Sequence, residues 1–431
     1  MLTASPGKEN TENRHIALLG AFCLFLSAVE YMIPKPLPFM RIGLANLPVM
    51  LACNVFPLRA FLILVCVKVL GQALITGTLF SYIFLFSLAG TFCSALLMFF
   101  LRRALCERLT FIGIGTAGAV VSNVSQLSLA YVFIFRENVR YIAPVFLAAG
   151  LVTGIALGIF CEIFIRRSQW YWKFRCRFLY QYLQQHRENI KGEMPNSTEN
   201  SGRKKNVKDD KTSGIILPLR AFVINISNNT VVRKLQFLNN SDISAKALFI
   251  TGLLIMPALL FNPSTEFRVI QFLFFLLLVI VSGKKVNIVF TVLITLFIIA
   301  FNLIVPYGKV LFSVGIFRIT SGALEAGIHR AVTLQALVML SKAAVRDDLR
   351  LPGAFGYLLG ESMRIFSVII SRKKRITAEN FITDIDNLMI DLSQEEPPDL
   401  IAQKKRTKPA GYVILTVLIL LSWLPWVFII F

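Results

Sequence analysis

Apolar residues fill both ends of this chain and are interrupted once by a long charged stretch. From Ile16 to Ile165 they run in blocks of about twenty, and the same texture returns from Ala245 to Val305 and from Gly411 to Phe431. About twenty apolar residues at helical rise span the hydrocarbon core of a bilayer. In that medium each backbone amide must be paired within its own helix. The chain therefore reads as all-α, a polytopic helical membrane protein whose first partner is the lipid bilayer. Its hydrophobic share of 56% exceeds the roughly 45–50% of a soluble domain, and a water-soluble core of this size cannot hide the excess.

The net charge is +21, which on a soluble chain would point to nucleic acid. Here the charges sit between and beside the apolar spans, where basic loops orient helices in a membrane. Nucleic acid is not expected as a partner. The seven cysteines are scattered without CxxC or Cys/His spacing, so no metal site is read from them. The first apolar run has no small-residue cleavage site and reads as a retained span.

Six spans are expected in the first part, at about 16–34, 43–56, 58–76, 80–101, 111–135 and 142–165. Pro34 and Pro36 remove amide donors and should stop the first helix. The stretch 35–47 is expected to enter the membrane without forming a regular helix. Arg102, Arg103 and Arg108 follow the fourth span, and Arg166, Arg167, Lys173, Arg175 and Arg177 follow the sixth. This bias predicts a cytoplasmic N-terminus in the inner (cytoplasmic) membrane, with Lys35 and Arg41 as exceptions. Trp170, Tyr171 and Trp172 suit an interfacial aromatic belt, and the polar stretch 186–213 reads as disordered.

The expected organisation is a six-helix membrane domain over 15–167, a basic cytoplasmic linker over 168–244 and a second helical membrane domain of about four to five helices over 245–371. A charged cytoplasmic segment over 372–410 and a last transmembrane helix over 411–431 follow. Within the second domain, residues 310–345 read as an amphipathic or semi-buried helix pair. Asp384 and Asp386 lie in the charged segment without a partner motif.

Polar residues inside the spans are the candidate substrate-binding groups. Glu30 ends span one, and an ionisable group in a membrane is costly enough to suggest function; the alternative is that it reaches the interface. Lys68 and Gln72 lie one turn apart on span three, and the alternative for Lys68 is an ammonium that reaches the headgroups. Asn46 follows Gly43 and Ala45, small residues that permit close approach. Asn123 and Gln126 form a polar stripe with Ser122 and Ser125, suited either to helix–helix hydrogen bonding or to a ligand. The run Gly150-x3-Gly154-x3-Gly158 reads as helix packing. There is no nucleotide-binding GxxxxGK[ST] loop and no catalytic constellation. No cofactor is expected on this chain, and ATP would act through a partner subunit.

Three segments carry a resemblance: RIGLANL from Arg41, SLAGTFCSALLMFFLRR from Ser87 to Arg103, and SNVSQLSLAYVF from Ser122 to Phe133. Through them residues about 15–165 resemble the membrane family called both heptaprenyl diphosphate synthase component I and Gx transporter. That family is similar to the six-helix substrate-binding S components of energy-coupling-factor vitamin transporters. Residues about 215–390 weakly resemble the T component of those transporters, through GALEAGIHRAVTLQALVMLSKAAVRDDLRLPG from Gly322 to Gly353. A T component couples cytoplasmic ATPase subunits through Ala-Arg-Gly signatures. None is present here, and the basic segment 372–390 is the candidate substitute.

The resemblance implies a transporter subunit for a small, vitamin-like molecule, with fused substrate-binding and coupling halves. Its other name implies a membrane component of polyprenyl diphosphate synthesis. The DDxxD pattern that holds magnesium and a diphosphate is absent, since Asp209-Asp210 and Asp347-Asp348 lack a third aspartate.

Overall fold

The computed structural model describes residues 6–32, 42–105, 108–176, 180, 243–284, 286–314, 317–346, 349, 351–372, 380–394 and 407–430. The expectations for Pro34 to Pro38, Lys35, Arg41, the stretch 186–213, Asp347-Asp348 and the basic run after Arg372 lie outside these residues.

Among the described residues the protein is all-α apart from one small hairpin. Helix α1 (Pro6–Met32) leads to a short 3-10 turn (Leu44–Asn46) and α2 (Leu47–Ala52). Helices α3 (Leu58–Thr76), α4 (Tyr82–Leu105), α5 (Phe111–Ala130) and α6 (Val139–Arg167) complete the first bundle. Helices α1, α3 and α4, and α5 with α6 as one continuous stretch, are long and apolar enough to cross a membrane. The expected span at 43–56 is corrected: α2 has 6 residues, and at 1.5 Å per residue that is roughly 9 Å of helix. Gly43 takes a left-handed turn with φ of +87° before the element, Pro48 lies in its first turn, and Pro57 follows it, so the helix is bounded on both sides.

Close helix approach follows from glycine. A Cβ on Gly154 would lie 2.9 Å from the Cα of Thr116, and one on Gly158 would lie 2.4 Å from the Cα of Ile112. The small-residue run of α6 thus rests on the backbone of α5, as its spacing suggested.

One end of the bundle is aromatic and basic. His15 and Phe56 pack on Phe174 with ring centroids 5.0 and 5.8 Å apart. There Arg102 donates to the Leu109 carbonyl at 3.0 Å and to Asn54 Oδ1 at 2.6 Å.

The second unit comprises α7 (Ala245–Leu260), α8 (Thr265–Val281), α9 (Ile288–Asn302), strands β1 (Val310–Val314) and β2 (Phe317–Thr320), and α10 (Ser321–Ala344). The helix pair expected over 310–345 is corrected to an antiparallel hairpin followed by one helix. Val310 to Val314 and Phe317 to Thr320 are rich in the β-branched and aromatic residues that favour strands. Nearly every side chain from Ala331 to Val345 is buried, so the second half of α10 has no solvent face to give it amphipathic periodicity.

Helix α10 lies across the other end of the first bundle. Arg330 donates to the Ile134 carbonyl at 3.0 Å, and the Phe80 amide donates to Ser341 Oγ at 3.3 Å. Alongside it, Asn138 of the α5–α6 connection donates to the Phe301 carbonyl of α9 at 2.9 Å. Helix α13 (Pro409–Ile430) packs on α7, where Trp423 and Trp426 donate to the Leu254 and Ala258 carbonyls at 3.2 and 3.1 Å.

Helix α11 (Gly353–Ser371) runs back along the first bundle, with Leu358 and Leu359 on Val67 and Ile365, Phe366 and Ile369 in the α1 core. Helix α12 (Phe381–Gln394) follows it. Asp386, expected in a partnerless charged tail, is instead buried there. It accepts from the Gln169 and Trp170 amides at 3.0 Å each and from the Ser168 hydroxyl, capping the helical turn that begins at 169. Phe381, Ile385, Leu388 and Leu392 recur at helical spacing and carry this face into the core. Trp170 and Tyr171, expected at a membrane interface, are buried in the same core, while Trp172 is exposed.

Candidate functional site

The polar hollow is built around the end of α1. Glu30 is 4% exposed, and its carboxylate accepts from the Ile42 amide at 2.9 Å and the Gly43 amide at 3.1 Å. A buried carboxylate needs such charge-assisted bonds to replace its hydration. The left-handed turn at Gly43 then brings Asn46 round to accept a hydrogen bond from Lys68 Nζ. Lys68 is 3% exposed, so its ammonium does not reach an interface. Gln72 sits one turn further along α3 and lines the same hollow.

The facing wall comes from α4, α5 and α6. Asn123 Nδ2 donates to the Phe146 carbonyl of α6 at 2.8 Å, and Gln126 Nε2 donates to Ser122 Oγ at 3.0 Å. Gly90 makes room for this pair, since a Cβ there would lie 2.9 Å from Ser122 Oγ and 3.0 Å from Gln126 Nε2. Asn123 therefore bonds to a neighbouring helix and also lines the cavity. Ser125 turns its hydroxyl to the Val121 carbonyl at 2.9 Å and does not take part.

All six candidates, Glu30, Asn46, Lys68, Gln72, Asn123 and Gln126, line this one hollow. Sequence reasoning missed Ser87, Thr91 and Ser94 of α4 and Thr153 of α6, which line it too. The first three recur at intervals of four and three, so one helix face presents three hydroxyls. That period was readable within SLAGTFCS. Among the described residues Ser94 Oγ is buried with no hydrogen-bond partner.

The hollow has a volume of about 40 Å³, room for roughly three water molecules. Met50 and Met98 form part of its wall, and methionine is the side chain best able to repack around a guest. One ammonium, one carboxylate, several amides and a row of hydroxyls make a surface that recognises by hydrogen bonds and charge.

Residues 19–164 match the family model described as heptaprenyl diphosphate synthase component I. Residues 245–347 match a second model, described as a domain of unknown function, DUF8519. The first match covers the segment on which the N-terminal resemblance was drawn. The second names no T component. No curated protein and no solved structure matches the chain.

Proposed function

We propose that this chain is the membrane subunit of a small-molecule transporter, with the hollow between α1, α3, α4, α5 and α6 holding the substrate and the unit from α7 to α10 acting as the coupling half. The observation that carries this reading is the convergence of six intramembrane polar side chains, from four separate segments, on one cavity. Such groups are expensive among apolar helices and are kept where they do work. The buried hydroxyl of Ser94, which has no hydrogen-bond partner among the described residues, is the kind of group that a bound guest satisfies. The chemistry around Lys68 favours a small polar substrate with one carboxylate or phosphate. The basic end of the bundle faces the cytoplasm of the inner membrane in this reading, and ATP is used by separate cytoplasmic subunits.

The test is to release small molecules from the full-length protein purified from native membrane and identify them by mass spectrometry, beside Lys68→Met. A small anionic compound should leave the native protein and be absent from the variant. Equal recovery from both, or none from either, refutes the site.

The description of the N-terminal family favours a second reading, a membrane component associated with polyprenyl diphosphate synthesis. In this reading the protein would anchor or assist an enzyme. Conversion of labelled isopentenyl diphosphate only when this chain accompanies its partner would establish that reading.

A further inference from the structure

A second cavity, of about 330 Å³, lies in the seam between the two helical units and shares no lining residue with the polar hollow. Its wall includes Leu70 and Leu74 of α3, Leu85 of α4, and Phe249 and Met256 of α7. The polar side chain in this wall, Ser81, already donates its hydroxyl to the Thr78 carbonyl at 2.7 Å. Water needs two to four polar partners, and apolar cavities of about 150 Å³ stay dry and take up hydrocarbons instead. A hollow of this size falls within the roughly 300–1,000 Å³ of ligand pockets, so its natural occupant is apolar.

The cavity is continuous with the outer face of α7. Leu253 forms part of its wall and is half exposed, and it is flanked on that helix by exposed Ile250 and Leu254. An apolar face of this kind is a lipid-facing surface in a membrane protein. At the rim lies a cation. A Cβ on Gly77 would come within 3.0 Å of Lys342 Cγ, and Gly77 stands between the wall residues Leu74 and Leu79. Lys342 is half-buried, and its carbonyl, with that of Val345, accepts from the Lys284 ammonium, so a second cation lies beside it. A hydrocarbon slot with a lysine beside its wall suits a molecule with an apolar chain and an anionic head.

We propose that the seam binds a phosphate-headed lipid, its hydrocarbon chain in the 330 Å³ cavity and its phosphate at Lys342. This rests on a different cavity from the transport reading and stands or falls without it. Two sources share the chemistry, an acidic phospholipid of the surrounding bilayer and a polyprenyl phosphate.

The full-length protein, delipidated in detergent, is mixed with equal amounts of dioleoyl phosphatidylglycerol, dioleoyl phosphatidylcholine and undecaprenyl monophosphate, and bound lipid is read by native mass spectrometry. Retention of phosphatidylglycerol or of undecaprenyl phosphate over phosphatidylcholine is expected, and the preferred arm names the source. Lys342→Gln should abolish that preference, and Leu74→Trp, which fills the slot, should cut retention about tenfold. Dihexanoyl phosphatidylglycerol, tested on the unaltered protein, carries the same head on chains too short to fill the cavity and should bind about tenfold more weakly. Equal binding of the short-chain lipid, equal retention of the zwitterionic one, or no retained lipid overturns the proposal.

Discussion

Gly150→Ala isolates one contact between the polar hollow and the helix behind it. A Cβ at this position would lie 1.9 Å from Asn123 Nδ2 and 2.8 Å from its Cγ, so the amide must swing away and release the Phe146 carbonyl it now bonds at 2.8 Å. That carbonyl lies within α6, where the helical ladder also uses it, so the loss belongs at the lower end of the range for a buried hydrogen bond, about 1–2 kcal/mol. Asn123→Ala deletes the same bond and should cost about as much. Once Asn123 is gone the added methyl meets nothing on that side, and alanine is favoured over glycine in a helix by up to about 1 kcal/mol. The double variant should therefore be no less stable than either single one, with a coupling of about 1–2 kcal/mol in its favour. Reversible unfolding in mixed detergent, followed for all four proteins, measures that coupling. Additive losses, or a Gly150→Ala variant as stable as the parent, would refute the reasoning.

Ser94→Ala removes a buried hydroxyl that has no hydrogen-bond partner among the described residues; it should leave the ligand-free protein as stable or raise stability by up to about 1 kcal/mol, while weakening retention of the co-purified molecule. Melting curves and recovery of that molecule, measured on one preparation, check both halves. Asp386→Ala deletes the acceptor of three hydrogen bonds at residues 168–170 and should cost about 2–3 kcal/mol, read as faster proteolysis within α12. Glu30→Ala leaves the Ile42 and Gly43 amides without their carboxylate, and hydrogen exchange at those two amides should accelerate while exchange in the middle of α5 stays unchanged.

Much of the site was legible because lipid makes polar side chains conspicuous. Glu30, Lys68, Asn123 and Gln126 stand out in apolar text, and each is buried at the same cavity. The hydroxyls of α4 were not legible one at a time, since serine and threonine in membrane helices often bond their own backbone, as Ser125 and Thr116 do. Only the shared face of Ser87, Thr91 and Ser94 distinguishes them. Helix α12 was misread because its charge suggested solvent, although Phe381, Ile385, Leu388 and Leu392 already marked an apolar stripe. The hairpin at Val310 to Thr320 was hidden by hydropathy, which does not separate a short apolar strand from a short apolar helix.

The hollow and the second unit are separated by very little. Asn123 bonds the carbonyl of Phe146, and the Phe146 ring packs in one apolar cluster with Ile294 and Ile298 of α9 and Leu334 of α10. Gln126 lines the hollow on one side and, on the other, a small void that Phe297 of α9 closes. A guest that takes hydrogen bonds from these two amides would act on groups against which the second unit is seated. Coupling requires that a ligand contact the two arrangements of a protein differently, and Asn123 and Gln126 are where that difference would arise in the transport reading. Neutral amides set a ceiling on it. Each hydrogen bond exchanged is worth about 0.5–1.5 kcal/mol, so two of them shift an equilibrium by at most roughly a hundredfold, and any larger response would have to draw on the Lys68 contact as well.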